Sequence, residues 1–596
     1  MSREIEITFY PIKISGRVPK GITILEAARR LGISVESPCG GTGKCGKDIV
    51  QVRINKILDT VLACKTVVET DIEVTLPSQE KKDDMKIIDG FFTKDSRQYN
   101  MNPSVKKELV HYGNGLYSTR LYANDKLIAT EDGDTQSHMY GIALDIGTTT
   151  LAASLVDLYH GNILENSSVL NPLVYYGHDV MSRIKYSTFH KDGLFRMHGE
   201  LISAINFLIT YLSSERGIKP ENIYQVIAAG NTTMQHIFLN KEIMGIGEYP
   251  YTPETLDTFT TTAKELAIAI AEYAPVTTFP CFSAYVGGDI VSGLLAIHYE
   301  TLELPALFLD IGTNGEMVLF LDDQTVATST AAGPCFEGVT ISSGMRASVG
   351  AIEHVRLEEK LFATVHPHLD LPPPPFSPSV RGTGGGIQGN NESSPPLVGG
   401  VRGGSELSQL SFDVIGGAKP RGICGSGLVE AVSELVRVGL VNSRGRLQSI
   451  GSDIAVKYGK YIFEKDGRRY FRLAENVSIS QEDIRQVQLA KAAIRSGIEI
   501  LLTSHNLKPE YLKTVIIAGA FGYHLSKESL FGIGILPDLT QAKFSFVGNS
   551  SLEGAVQALL NKKLVNDASR IARTVHVMEL SQFPSFEKIF IREMHF

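Results

Sequence analysis

Between Glu4 and Ile14 the apolar residues Ile5, Ile7, Phe9, Ile12 and Ile14 largely alternate with polar ones, the period of a half-buried hairpin. Ile24, Leu25, Ala28 and Leu31 then recur at helical spacing, and Gly32 is placed to end that helix. A glycine-rich loop from Cys39 to Gly46 follows, then two strand-like runs, Ile49 to Ile54 and Asp71 to Leu76. The charged stretch Glu80 to Lys86 closes a first domain, residues 1–80. Residues 81–138 are polar and mixed and read as a linker with little structure. At Tyr140 the pattern becomes a buried strand, Gly141 to Asp145, and strands then alternate with helices in the manner of an α/β unit. Ala306 to Asp310 and Thr514 to Ala518 are further buried strands, and residues 139–596 form this second unit. Within it, about residues 366–410, prolines 372–375 and the glycines from 384 to 404 offer too little apolar surface to offset ordering entropy, which predicts a disordered surface insert.

A chain of 596 residues exceeds one hydrophobic core, so two to four domains are expected. Hydrophobic residues at 43% and charged residues at 20% are those of a globular protein. A net charge of -8 and the lack of a long basic run argue against a nucleic-acid partner, which needs a basic surface. No signal-like apolar stretch opens the chain and no run of about 18 apolar residues occurs, so no membrane is expected and the location is cytoplasmic. Three of the six cysteines crowd between Cys39 and Cys64, which points to metal rather than to disulfides.

Two segments carry the remaining chemistry. Asp145-Ile-Gly-Thr-Thr-Thr150 follows a buried strand, and Asp310-Ile-Gly-Thr-Asn-Gly-Glu316 repeats the arrangement 165 residues on. A strand ending in aspartate, then a glycine turn with hydroxyl residues, can present amides and hydroxyls to phosphate oxygens. Two such turns suggest a duplicated fold with a phosphate clamp between its halves. Ala229 to Met234, Gly422 to Gly427 and Ala518 to Gly522 are further glycine loops. Gly425, Ser426, Gly427 and Gly519 are candidates for the adenosine side, with helix packing as the alternative.

The loop from Cys39 through Cys45 to Asp48, with Cys64 beyond it, resembles the cluster loop of plant-type 2Fe-2S ferredoxins. The resemblance implies a β-grasp fold and a cluster held by Cys39, Cys45, Asp48 and Cys64, with Asp48 standing where the family has a third loop cysteine. A carboxylate keeps the charge of a thiolate but is a harder donor. Two readings stay open: a more labile and more strongly reducing cluster, or a loop that has lost its cluster. The twin turns resemble the phosphate loops of the acetate and sugar kinase, Hsp70 and actin (ASKHA) superfamily. That likeness implies that Asp145 and Asp310 position Mg2+ and its waters. It also implies that Gly147, Thr148, Thr149, Gly312, Thr313 and Asn314 grip the phosphates of ATP.

The whole is thus expected to be an α/β multidomain chain: a β-grasp ferredoxin-like domain, a linker and a duplicated actin-like ATPase. In that order the modules, with the runs Ser283 to Asp289, Ala332 to Gly338, Gly344 to Ala347, Gly350 to Glu353 and Ile533 to Pro537, resemble reductive activators of corrinoid proteins. The family implies ATP-dependent reduction of a partner's Co(II) to Co(I). The partner would be the corrinoid protein of a methyltransferase or corrinoid iron-sulfur system, fed by an upstream low-potential electron donor, and a homodimer is compatible with this. The alternatives are a small-molecule kinase of the superfamily, a clusterless ATP-dependent switch, and an activator of acyl-CoA dehydratases.

Overall fold

The computed structural model describes residues 4–10, 14–31, 33, 35, 48–54, 57–76, 101–113, 115–338, 340–358, 410–449, 452, 458–519, 525–539 and 541–596. Cys39, Cys45 and the Pro/Gly-rich insert up to residue 409 lie outside these.

The N-terminal unit is a five-stranded mixed sheet in the order Ile14–Pro19, Glu4–Tyr10, Ile72–Thr75, Ile49–Ile54, Ile57–Leu62. Its first and last strands lie side by side and parallel, with Ile7 opposite Ile72, and the other pairs are antiparallel. The alternation at the start of the chain puts Ile5, Ile7 and Phe9 on the inner face. Helix Ile24–Arg30, capped by the Thr23 side chain accepting from the Glu26 amide, covers that face with Ile24, Leu25, Ala27 and Ala28. The strand Ile57–Leu62 was not foreseen.

Residues 81–138 hold more than a linker needs. Val105–Gly113, Leu116–Ala123 and Lys126–Asp132 form a three-stranded antiparallel sheet, and Val105 and Leu121 join the core of the following half. Lys107, 1% exposed, fastens it by donating to Glu131 at 2.7 Å and to the Tyr224 hydroxyl at 3.1 Å. The sequence hides this sheet because one of its faces is solvated and its strands carry many charged residues.

Two six-stranded sheets follow. The first runs Asn162–Leu170, Thr150–Asp157, Tyr140–Ile146, Ile223–Gly230, Pro275–Thr278, Phe259–Thr262. The second runs His576–Val577, Thr325–Thr330, Gly315–Phe320, Ala306–Ile311, Thr514–Ala518, Lys543–Gly548. In each, a three-stranded antiparallel meander gains a parallel neighbour beside its first strand. The duplication suggested by the repeated turn is therefore a duplication of topology; one core runs from the first sheet to the near face of the second, taking in Phe308, Val318 and Ile516, and another covers the second sheet's opposite face. No described helix is long and apolar enough to cross a membrane.

The two halves meet where helix Gly288–Ala296 crosses helix Ser550–Leu560. Small residues let the backbones approach. Ser292 Oγ donates to the Ser551 carbonyl at 2.7 Å, and a Cβ on Gly554 would lie 1.9 Å from the Ser292 carbonyl oxygen. Helix propensity alone would make Gly554→Ala stabilising by roughly 1 kcal/mol. The close crossing reverses the sign, and thermal unfolding should show a loss of about 1–3 kcal/mol instead.

Candidate functional site

Both sequence-predicted turns lie at the mouth between the halves. The strands Tyr140–Ile146 and Thr150–Asp157 pair up to Ile146 opposite Leu151, so residues 147–150 make the turn. A Cβ on Gly147 would stand 2.6 Å from the Thr150 carbonyl oxygen, which leaves glycine as the residue that fits. The turn is braced from below. Asn171 Nδ2 donates to the Gly147 carbonyl at 2.7 Å, and the Asn171 amide donates to the Thr149 carbonyl at 2.8 Å. Arg183, wholly buried, donates to the Thr148 carbonyl at 2.5 Å. Asn231 Nδ2 donates to Thr148 Oγ1 at 2.9 Å.

The second turn is set by Ile311 opposite Gly315. Across 164 residues of sequence the hydroxyls of Thr149 and Thr313 stand 3.1 Å apart. The structure thus closes the two predicted phosphate loops on one another. Thr313 Oγ1 donates in turn to Glu337 Oε1 at 2.6 Å. Within the second loop the Asn314 carbonyl accepts from the Gly312 amide at 2.9 Å, and the Asn314 side chain bonds to Glu316.

Around this meeting point five carboxylates face one another. Asp145 is half-buried and accepts from Asn549 Nδ2 at 2.7 Å and Ser551 Oγ at 2.9 Å, both at the start of the crossing helix from the other half. Burial, opposed by those two bonds, raises its pKa. Asp310 is pushed up to about 8 by burial and then by the charges of Asp289, Asp145 and Glu337. Asp289 rises to about 7 by burial and by Asp145. Glu316 is held well above the ordinary range by burial and by Asp289 and Asp310, and Glu337 is raised by burial. Arg183 and Arg346 are the cations that act on Glu337. So dense an acidic cluster is suited to a cation brought in with an anionic ligand, because Mg2+ binds through one or two carboxylates together with phosphate oxygens and waters.

Asp289, Glu316, Glu337, Asn171, Arg183, Asn549 and Ser551 were not foreseen as site residues. The runs holding Asp289, Glu316 and Glu337 were visible in the sequence without a role, and Asn171 carries no signal beyond its place before a proline. Gly519 has φ +103, and a Cβ there would meet the Ile311 carbonyl oxygen at 2.4 Å and Asp310 Oδ1 at 3.1 Å, so it lies against the second phosphate loop. Gly425, Ser426 and Gly427 open the helix Gly425–Arg437 and are buried. There a Cβ on Gly427 would press to 2.3 Å of the Ile352 carbonyl oxygen, a packing requirement.

Of the four predicted cluster ligands, Asp48 and Cys64 lie among the described residues and are neighbours. Asp48 Oδ2 accepts from the Cys64 amide at 2.6 Å, and the Asp48 carbonyl accepts from the Ala63 amide at 2.8 Å. Asp48 is 1% exposed, and its Oδ1 is buried with no hydrogen-bond partner among the described residues. A buried carboxylate oxygen of this kind calls for a partner. The pair fits two ligands of a metal cluster, although no three His, Cys, Asp or Glu side chains among the described residues form a metal site. The N-terminal unit rests on the first half nearby. Arg29 lies over the Tyr175 ring at 4.6 Å, and the Tyr175 hydroxyl donates to the Val35 carbonyl. Tyr175 ends the turn Pro172–Tyr175 that Asn171 caps.

Duplicated sheets that meet through glycine turns over paired aspartates define an ASKHA-type domain, the class of folds that handle ATP between two lobes. Sequence comparison agrees: the family model of the RACo middle region matches residues 140–301. That of the C-terminal domain of RACo, the ASKHA domain, matches residues 305–372 and 383–596. The chain belongs to this family of corrinoid activators. It is 26% identical to the corrinoid activation enzyme RamQ of Eubacterium limosum over 96% of both chains. It is 23% identical to the Co(II) methylated amine-specific corrinoid protein reductase of Methanosarcina barkeri, over 77% of each. A solved structure of a reductive activator for corrinoid, iron-sulfur protein superposes with a TM-score of 0.71 at 29% identity, covering 99% of this chain and 98% of that one.

The carboxylate cluster makes stability depend on pH. Asp310 and Asp289 keep their protons in the fold up to about 8 and about 7, whereas unfolded they release them near 4. The folded state therefore binds more protons across this window, and stability falls as pH rises through it. Without nucleotide, the melting temperature should drop between about pH 4 and about pH 8. Asp310→Asn should flatten that slope in a calorimetric series.

Proposed function

We propose that this chain is an ATP-dependent reductive activator, which returns the cobalt of a partner corrinoid protein from Co(II) to Co(I). The observation that carries this reading is the meeting of the two hydroxyl loops, Thr149 against Thr313, over Asp145 and Asp310. The names of the relatives, which act on corrinoid proteins, support the choice of partner. The loops 147–150 and 312–314 grip the phosphates. Asp145 and Asp310 would order Mg2+ and its waters, with the carboxyl groups of Asp289 and Glu316 close enough to act on Asp310. Gly425, Ser426 and Gly427 line the adenosine side, while Gly519 keeps the floor under Asp310 thin.

We read residues 1–80 as the redox module, 81–138 as its connector and 139–596 as the ATPase. The strand order of the first sheet, with parallel first and last strands under one helix, is that of a β-grasp and supports the ferredoxin-like reading. Cys39, Cys45, Asp48 and Cys64 would hold a 2Fe-2S cluster, which when bound supplies one-electron transfer at low potential. Asp48 offers the unsatisfied Oδ1, and its other oxygen is fixed by the Cys64 amide, so the carboxylate is already oriented. For one electron 100 mV is worth about 2.3 kcal/mol, an amount that nucleotide-dependent differences in partner binding can supply. ATP therefore has no need to enter the redox chemistry. An upstream low-potential donor recharges the module.

A second reading has one observation in its favour. The bond from the Cys64 amide to Asp48 would let the carboxylate serve as a structural bridge in a clusterless, ATP-driven switch.

Two measurements test these readings. Under anaerobic conditions, chain, MgATP, a reductant and a Co(II) corrinoid protein should give the Co(I) absorption band. Asp145→Ala and Asp310→Ala should slow its appearance by roughly 100-fold or more. No Co(I) in any arm would sink the activator reading. Iron and sulfide analysis of anaerobic preparations should find metal in the wild type, less in Asp48→Ala, and in Asp48→Cys a cluster of higher potential, since the harder ligand favours ferric iron. A metal-free wild type would leave the switch.

A further inference from the structure

We propose that the Glu337 carboxylate and a bound phosphate are alternative occupants of the grip formed by Thr149 and Thr313. This rests on the reading of the twin loops as a nucleotide clamp and adds a residue to it. A threonine hydroxyl has one proton to give. Thr313 gives its proton to Glu337 Oε1 at 2.6 Å, and the Thr149 hydroxyl, 3.1 Å from that of Thr313, bonds to the same carboxylate. Both hydroxyls are thus engaged by one carboxyl group. A phosphate held by these loops needs those protons. Its charge also repels a carboxylate at that distance. The two anions cannot both be held.

The surroundings suit an exchange by side-chain rotation. Glu337 ends the turn Pro334–Glu337, whose Cys335 and Phe336 are buried and fix the backbone. The turn lies between two left-handed glycines, Gly333 at φ +79 and Gly338 at φ +73. A Cβ on Gly338 would stand 2.6 Å from the Met345 carbonyl oxygen, which anchors that end, whereas nothing lies within 4 Å of one on Gly333. The Glu337 side chain is half-buried, at the cleft. Arg346 and Arg183 act on it with positive charge, and Arg183 also holds the Thr148 carbonyl of the first loop.

The test is binding of a non-hydrolysable ATP analogue, of ADP and of adenosine, each with Mg2+, to the full chain by calorimetry. Glu337→Gln keeps the shape and removes the charge. It should bind the analogue at least tenfold more tightly than wild type, gain less for ADP and leave adenosine, which brings no phosphate, unchanged. Glu337→Ala should shift the analogue in the same direction, which covers a misfolded glutamine variant. A general structural role would move adenosine affinity as well. Unchanged or weaker analogue binding in both variants overturns the proposal while the clamp stands. A wild type that binds none of the three overturns the clamp and the proposal together.

Discussion

The contact between the Thr149 and Thr313 hydroxyls is the constraint on which the rest of the molecule hangs. Each threonine sits at the tip of a hairpin whose first strand has an aspartate as its penultimate residue, and the two hairpins belong to different halves. Bringing them together places Asp145, Asp289, Asp310, Glu316 and Glu337 where their charges oppose one another. Such a cluster disfavours its own ionised form, and a metal-bound polyanion is the kind of ligand that relieves it. Stability has been given up locally so that the cleft is electrostatically ready for a nucleotide.

The closure is held from two sides. Small residues at the crossing of helices Gly288–Ala296 and Ser550–Leu560 bring the halves close, and the second helix then offers Asn549 and Ser551 to the Asp145 carboxylate. Asp145 is thus bonded to the half that does not contain it. On the other side, Asn171 grips the glycine turn 147–150 and caps the short turn ending at Tyr175, which carries the contact with the N-terminal unit. Only a few residues separate the phosphate loop from the unit that carries Asp48 and Cys64. A shift of loop 147–150 has a short physical route to the N-terminal unit.

Much of this was legible without coordinates. Alternating apolar residues from Glu4 onward gave the first hairpin, and the buried runs at Tyr140, Ala306 and Thr514 became central strands. The glycine turns were readable because their requirement is local: Gly147 has a carbonyl within reach of any added Cβ. The sheet at Val105–Asp132 escaped because solvated antiparallel strands rich in lysine and glutamate lack the apolar signature of a core strand. Glu337, Asn549 and Ser551 escaped because nothing in their local pattern says what lies opposite.

By itself the sequence determined the two turn motifs, the duplication and the cysteine-bearing front unit, since each is set by short-range rules of period, glycine conformation and ligand type. Only the tertiary structure decided which carboxylates share the cleft, which hydroxyl meets which, and that Asp48 lies against Cys64 with one oxygen unpartnered among the described residues. The last follows from the pairing of strands Ile49–Ile54 and Ile57–Leu62, whose ends bring Asp48 and Cys64 together; the first two follow from how two similar sheets pack across a helix crossing. Contacts between residues more than a hundred positions apart are fixed by that packing and leave no periodic trace in the chain.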